Sequence, residues 1–186
     1  MPSAALQEAP GFTPWSERLD AFDAPAGTAA TAWLQEPALL TERLRACCGG
    51  QPGLLVVAEY EAPMSAADAA RLQAAGSTAF VREIELTCDD RPWIFAQTLI
   101  PRATLARHRW LSTLGEAALG ERLASIPGIV RGPLEFARLG TPSALYRRAL
   151  CRRADPPSAL WARRSWFAID GDRLMVQEVF LPEALA

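Results

Sequence analysis

Two pairs of alternating segments, each joined at a two- or three-residue turn, constrain this chain more than any other feature. "AFVREIELTC" (79–88) and "RPWIFAQTLIP" (91–101) flank Asp89-Asp90, while "LWARRSWFAI" (160–169) and "RLMVQEVFLP" (173–182) flank Asp170-Gly171-Asp172. Successive side chains in a strand point to opposite faces, and Asp and Gly tolerate the backbone of tight hairpin turns. Two antiparallel hairpins are therefore expected. "LLVVAEYEAP" (54–63) and "IVRGPLEFARLG" (129–140) read as further strands. Helical patterns fall between them. "PALLTERLRACC" (37–48) has Pro37 suited to a first turn, and "MSAADAARLQAAG" (64–76) has Ser65 as cap. "ATLARHRWLSTLGEAALGERLAS" (103–125) reads as one or two helices broken near Gly115 or Gly120. Hairpins alternating with helices predict an α+β domain built on a single antiparallel β-sheet with flanking helices. Residues 1–30, rich in Ala, Pro and Gly, read as a loosely structured lead-in with at most a short helix near Trp15–Phe22. This leaves 31–186 as one domain, in keeping with a length of 186 residues.

The strand patterns carry charges on apolar faces. Arg82 shares its face with Phe80, Ile84 and Leu86, and Glu178 shares its face with Leu174, Val176 and Phe180. An isolated buried charge costs several kcal/mol, so each needs a partner, either a protein group or a ligand. A two-residue turn at Asp170-Gly171 places Arg163 opposite Glu178, which allows a cross-strand ion pair. For Arg82 the plain alternative is a strand-end arginine whose stem packs while its head reaches water. The residues alone leave protein partner and ligand open.

Other features exclude function classes. The formal net charge of -2 gives no reason to expect nucleic acid as a partner. His108 is the only histidine, so catalytic triads and His-rich metal sites have little to draw on, and it is expected to be an exposed helical residue. The pairs Arg147-Arg148, Arg152-Arg153 and Arg163-Arg164 read as a solvated basic face, with an anion- or partner-binding patch as the alternative. "CCGGQPG" lacks the lysine and following helix of a phosphate-binding loop. Cys47, Cys48, Cys88 and Cys151 show no CxxC spacing and read as free thiols. No secretory leader pattern opens the sequence, and no run approaches the roughly 18 apolar residues of a membrane span. A cytoplasmic protein without membrane insertion is expected.

"VREIELTCDDRPWIFAQTLIP", then "LGEAALGERL", then "LWARRSWFAIDGDRLMVQEVFLP" together resemble the chorismate–pyruvate lyase family, over roughly residues 33–182. The resemblance implies a chorismate lyase-like fold with a ligand cavity under helical lids. It implies conversion of chorismate to 4-hydroxybenzoate and pyruvate at the entry to ubiquinone biosynthesis, with no cofactor and no metal. Arg82 stands where the family arginine meets a ligand carboxylate, and Glu178 matches the glutamate at the other end of the site. Both are expected to be catalytic and substrate-binding. Leu119 matches a cavity-lining leucine, and Leu40 stands where a family member has methionine. A second carboxylate contact, from Arg131 or Arg164, is left open. Nothing in the sequence demands more than a monomer. The alternative is a small-aromatic-acid sensor of the same fold, as in effector domains of bacterial transcription regulators.

Overall fold

The computed structural model describes residues 15–22 and 28–185. The two hairpins form the centre of one antiparallel sheet. The first consists of β2 (Thr78–Cys88) and β3 (Arg91–Pro101), the second of β6 (Leu160–Ile169) and β7 (Asp172–Phe180). Asp89, Asp90 and Asp170 take φ of 49°, 61° and 50° and Gly171 takes 88°, the left-handed backbone that two-residue hairpin loops require. β1 (Gly53–Pro63) pairs with β2, and β3 pairs with β7. The expected strand near 129–140 is two strands, β4 (Val130–Arg131) and β5 (Glu135–Leu139), which share the outer edge of β6. The order is β1-β2-β3-β7-β6-β4, with β5 beside β4 on β6.

Six α-helices occur among the described residues: α1 (Ala29–Leu34), α2 (Leu40–Cys48), α3 (Ala66–Arg71), α4 (Arg102–Arg107), α5 (Leu119–Ala124) and α6 (Ala144–Ala149). α2 begins three residues after Pro37, so the proline precedes the helix instead of opening it. Ser65 caps α3 by accepting from the Asp68 amide at 3.0 Å. The break in the 103–125 pattern falls around Gly115, at φ 54°, while Gly120 lies inside α5. Within the lead-in, a short 3-10 helix spans Leu19–Phe22, and Ser16 bridges Phe136 on β5. The rest of the lead-in, 1–14 and 23–27, lies outside the described residues. None of the described helices is long and apolar enough to cross a membrane.

Both sheet faces are covered. On one, Trp33, Leu34, Leu40 and Leu44 pack on Ile84, Leu86, Ile94 and Phe180, beside a group containing Ile100, Leu119, Leu123 and Leu174. On the other, Leu145, Tyr146 and Leu150 pack on Phe95, Ala162 and Val179. This explains the two-sided apolar pattern of "LMVQEVFLP".

Several expectations are corrected. The C-terminal end of α2 meets the end of β2 and brings the Cα atoms of Cys48 and Cys88 to 5.5 Å, so they form a disulfide; Cys47 and Cys151 remain free and exposed. His108 is not exposed: its Nε2 lies 3.0 Å from Asp172 Oδ2, with 12% of its side chain accessible. Arg147 and Arg152 are exposed, but the arginine pairs do not form one solvated face. Arg148 pairs with the fully buried Glu83, Arg153 with Glu183, and Arg164 with Glu135 and Asp68, each at 2.9 Å for the last two. The fold supplies carboxylates, from the strands and from helical segments, that the one-dimensional pattern does not place beside these arginines.

Candidate active site

Strand register assembles the site in rows across the sheet. Arg82 pairs with Thr98, Thr98 with Val176, and Val176 with Ser165. The next row runs Ile84, Ala96, Glu178, Arg163. Apolar rows bound them, with Leu86, Ile94, Phe180 and Trp161 on one side and Phe80 with Ile100, then Leu174 with Phe167, on the other. With strands about 4.8 Å apart and about 3.4 Å per residue, the Arg82 and Glu178 backbones stand about 12 Å apart. Their side chains face one cavity of about 250 Å³, roofed by α2 and α5. Its lining is mostly apolar, with a few convergent polar groups, the usual make-up of a small-molecule site.

The structure brings Arg82, Glu178, Leu40 and Leu119 together in this lining. Arg82 is 1% exposed, so its head does not reach water along the packed stem. Its Nη2 donates to the Gly115 carbonyl at 2.6 Å and to that of Ala117 at 3.4 Å, on the segment leading into α5. Nε lies 3.3 Å from Glu59 Oε1 without hydrogen-bond geometry, and is a buried donor lacking an acceptor. Burial lowers the Arg82 pKa from its ordinary value, with Glu59 opposing the shift. The buried guanidinium is thus short of hydrogen-bond acceptors.

Glu178 does pair with Arg163, Nε donating to Oε2 at 2.7 Å. Arg163 Nη1 also donates to the Glu36 carbonyl at 2.6 Å, fixing the chain between α1 and α2. The ion pair and the cavity position coexist, because Glu178 retains 19% side-chain exposure. Leu40 and Leu119 are the first residues of α2 and α5, and neither helix has a side-chain cap. The uncapped start of the nine-residue α2 presents free amides and a partial positive charge at the cavity. Thr41 adds a buried hydroxyl with no partner.

The chain matches the family model described as chorismate lyase over residues 15–185. It is 42% identical over 153 residues to a probable chorismate pyruvate-lyase of Dechloromonas aromatica (strain RCB), covering 81% of this chain and 85% of that protein. It is 41% identical over 161 residues to a probable chorismate pyruvate-lyase of Azoarcus sp. (strain BH72), covering 82% and 84%. The chain belongs to the chorismate lyase family. Among solved structures it is similar in fold to PhnF from Mycobacterium smegmatis, with TM-score 0.57 and 19% identity over 82% of this chain and 67% of that one. That likeness concerns the fold alone.

In this chorismate lyase family member the cavity also has lining residues that the sequence did not point to. Thr41, Thr98 and Ser165 line the cavity, and so does Arg131, which the sequence left as one of two candidates. Arg164 faces the opposite side of the sheet. The alternation of "WARRSWF" carries part of this signal, since Arg163, Ser165 and Phe167 share a face. Gly132 carries none by itself. A Cβ there would overlap the Trp166 indole, so only glycine lets the chain after β4 lie against β6.

Proposed function

We propose that this protein converts chorismate to 4-hydroxybenzoate and pyruvate without a cofactor, as a monomer in the cytoplasm at the first step of ubiquinone biosynthesis. Residues 31–186 form the functional domain in this reading. The observation that carries it is Arg82 and Glu178 on neighbouring rows of one apolar cavity floor, in a chain of the chorismate lyase family.

Chorismate is a dicarboxylate with an enolpyruvyl ether on a cyclohexadiene ring. The ring carbon–oxygen bond breaks and its electrons leave with enolpyruvate. The C–H electrons of the neighbouring hydroxyl-bearing carbon become the new ring π bond. The released proton balances the enol methylene that becomes the methyl of pyruvate. Aromatisation drives the step, and no net oxidation occurs.

Arg82 takes the ring carboxylate through charge-assisted hydrogen bonds, with the amides at the start of α2 beside it. Leu40 and Leu119 close the apolar walls. Leu40 keeps the wall where a methionine occurs in the family, without a sulfur contact. Glu178, with Oε2 held by Arg163, offers Oε1 to the ring hydroxyl and so polarises it as the ether departs. Holding the ring in reactive geometry contributes on the order of 7–11 kcal/mol at best.

Incubation of EDTA-treated protein with chorismate, followed by chromatography, is expected to give equimolar 4-hydroxybenzoate and pyruvate. No turnover, with tight 4-hydroxybenzoate binding, would instead make the protein a sensor. Sedimentation at micromolar concentration tests the monomer.

A further inference from the structure

Arg131 stands on β4 at the far end of the row next to that of Arg82, the one running through Leu174 and Phe167. It pairs with Phe167 across β4 and β6, and its Nε donates to Ser165 Oγ at 3.2 Å. Its Nη1 donates to the Pro37 carbonyl at 3.1 Å, and the guanidinium lies 5.5 Å from the centre of the Phe167 ring. Among the described residues Nη2 has no acceptor. These contacts hold the group at a fixed place and leave one donor edge for the cavity.

The lining contains three guanidinium groups, Arg82, Arg131 and Arg163, against one carboxylate, Glu178. Arg163 is spent on Glu178 and the chain before α2, whereas Arg131 has no carboxylate of its own. Burial, and then repulsion from Arg163, lowers the Arg131 pKa from its ordinary value, with Glu178 opposing. An anion beside Arg131 would relieve that repulsion. Two strands, β3 and β7, lie between Arg82 and Ser165 in their row, so these two lie about 14 Å apart at the backbone, with β4 one strand further out. Glu178 sits between them on the next row.

Resting on the lyase reading, we propose that Arg131, positioned by Ser165 and Phe167, binds the second carboxylate of a dianionic ligand, the one carried on the enolpyruvyl ether. The order of groups agrees with this. A ring carboxylate at Arg82 and a para hydroxyl at Glu178 fix the long axis of the ring and allow the meta ether to point toward β6 and β4. Arg131 then selects the dicarboxylate over its monocarboxylate aromatic product. Loss of the ether chain removes its anion from Arg131 and leaves 4-hydroxybenzoate held at Arg82 and Glu178 only.

The test uses two stable ligands measured by calorimetry on the full chain. One is 4-hydroxybenzoate. The other is 3-(carboxymethoxy)-4-hydroxybenzoate, an aromatic dianion with carboxylate, hydroxyl and ether carboxylate in chorismate's order. Arg131→Gln is expected to weaken the dianion by about 10- to 100-fold, the range for a lost charge-assisted contact, and to change 4-hydroxybenzoate less than threefold. Arg131→Lys should recover part of the loss. Equal weakening of both ligands would overturn the proposal, since it is the mark of a wall-shaping role through Pro37; so would no change in either. Chorismate turnover by the unmodified protein is scored separately. Selective loss without turnover would sink the lyase reading and keep the dianion site, while turnover with unselective loss would do the reverse.

Discussion

Arg82 and Glu178 are expected to respond differently to substitution because their protein partners differ. Arg82 keeps two backbone acceptors and an unpaired Nε. Arg82→Lys retains the charge without the planar fork, so 4-hydroxybenzoate affinity should fall about 10- to 100-fold by calorimetry. Glu178 is an ion-paired carboxylate and therefore a hydrogen-bond acceptor. Glu178→Gln should lower kcat about tenfold, the effect of one weakened hydrogen bond to a charged group. A fall of about 10²–10⁴-fold in single-turnover rate would instead mark Glu178 as the proton donor.

α2 and α5 act as the two halves of a roof. Their first residues touch the cavity, and Arg45 in the last turn of α2 reaches Glu121 of α5 at 3.1 Å. The pair is 40% and 47% exposed, so its contribution to stability is at most a few tenths of a kcal/mol after solvent screening. It spans the two elements that would part for product release in the lyase reading. A burst of 4-hydroxybenzoate is expected in pre-steady-state traces, and Glu121→Ala should raise the later steady rate without changing the thermal midpoint measurably. The same C-terminal end of α2 is tied to β2 by Cys48–Cys88. Thiol titration of the folded protein should count two groups, Cys47 and Cys151, and four after reduction and unfolding; four before reduction would disprove the cross-link.

Across the whole molecule the sheet divides its charges by face. The cavity face carries Arg82, Glu178 and Arg163, and the back face carries a polar row of Glu83, Gln97, Gln177, Arg164 and Glu135. Gln97 donates to Glu83 at 2.9 Å, Tyr60 donates to it at 2.8 Å, and Arg148 closes the group. Burial alone would raise the Glu83 pKa, but donation from Arg148, Gln97 and Tyr60 holds it below its ordinary 4.5. A carboxyl depressed on folding gives stability that is complete above the unfolded value and lost as pH falls through the folded one. The stability difference between the unmodified protein and Glu83→Gln should therefore be largest above about pH 4.5 and shrink on acidification, as read by urea melts at each pH.

Periodicity and turn chemistry determined the hairpins and the antiparallel class, and allowed the pairing of Arg163 with Glu178 that the strand register then fixed. These depend on neighbours along the chain and on a two-residue turn, which one dimension contains. The faces of Arg82 and Glu178 were legible for the same reason, and the family motifs made them a pair. What the tertiary structure alone decided joins residues distant in sequence. Glu83 meets Arg148, Cys48 meets Cys88, and Arg131 rather than Arg164 enters the cavity. Each depends on which strand edge or helix end lies alongside, and long-range packing sets that, not local pattern. Arg131 and Arg164 look alike in sequence; β4 and β6 turn one toward the ligand cavity and the other toward Glu135 and Asp68.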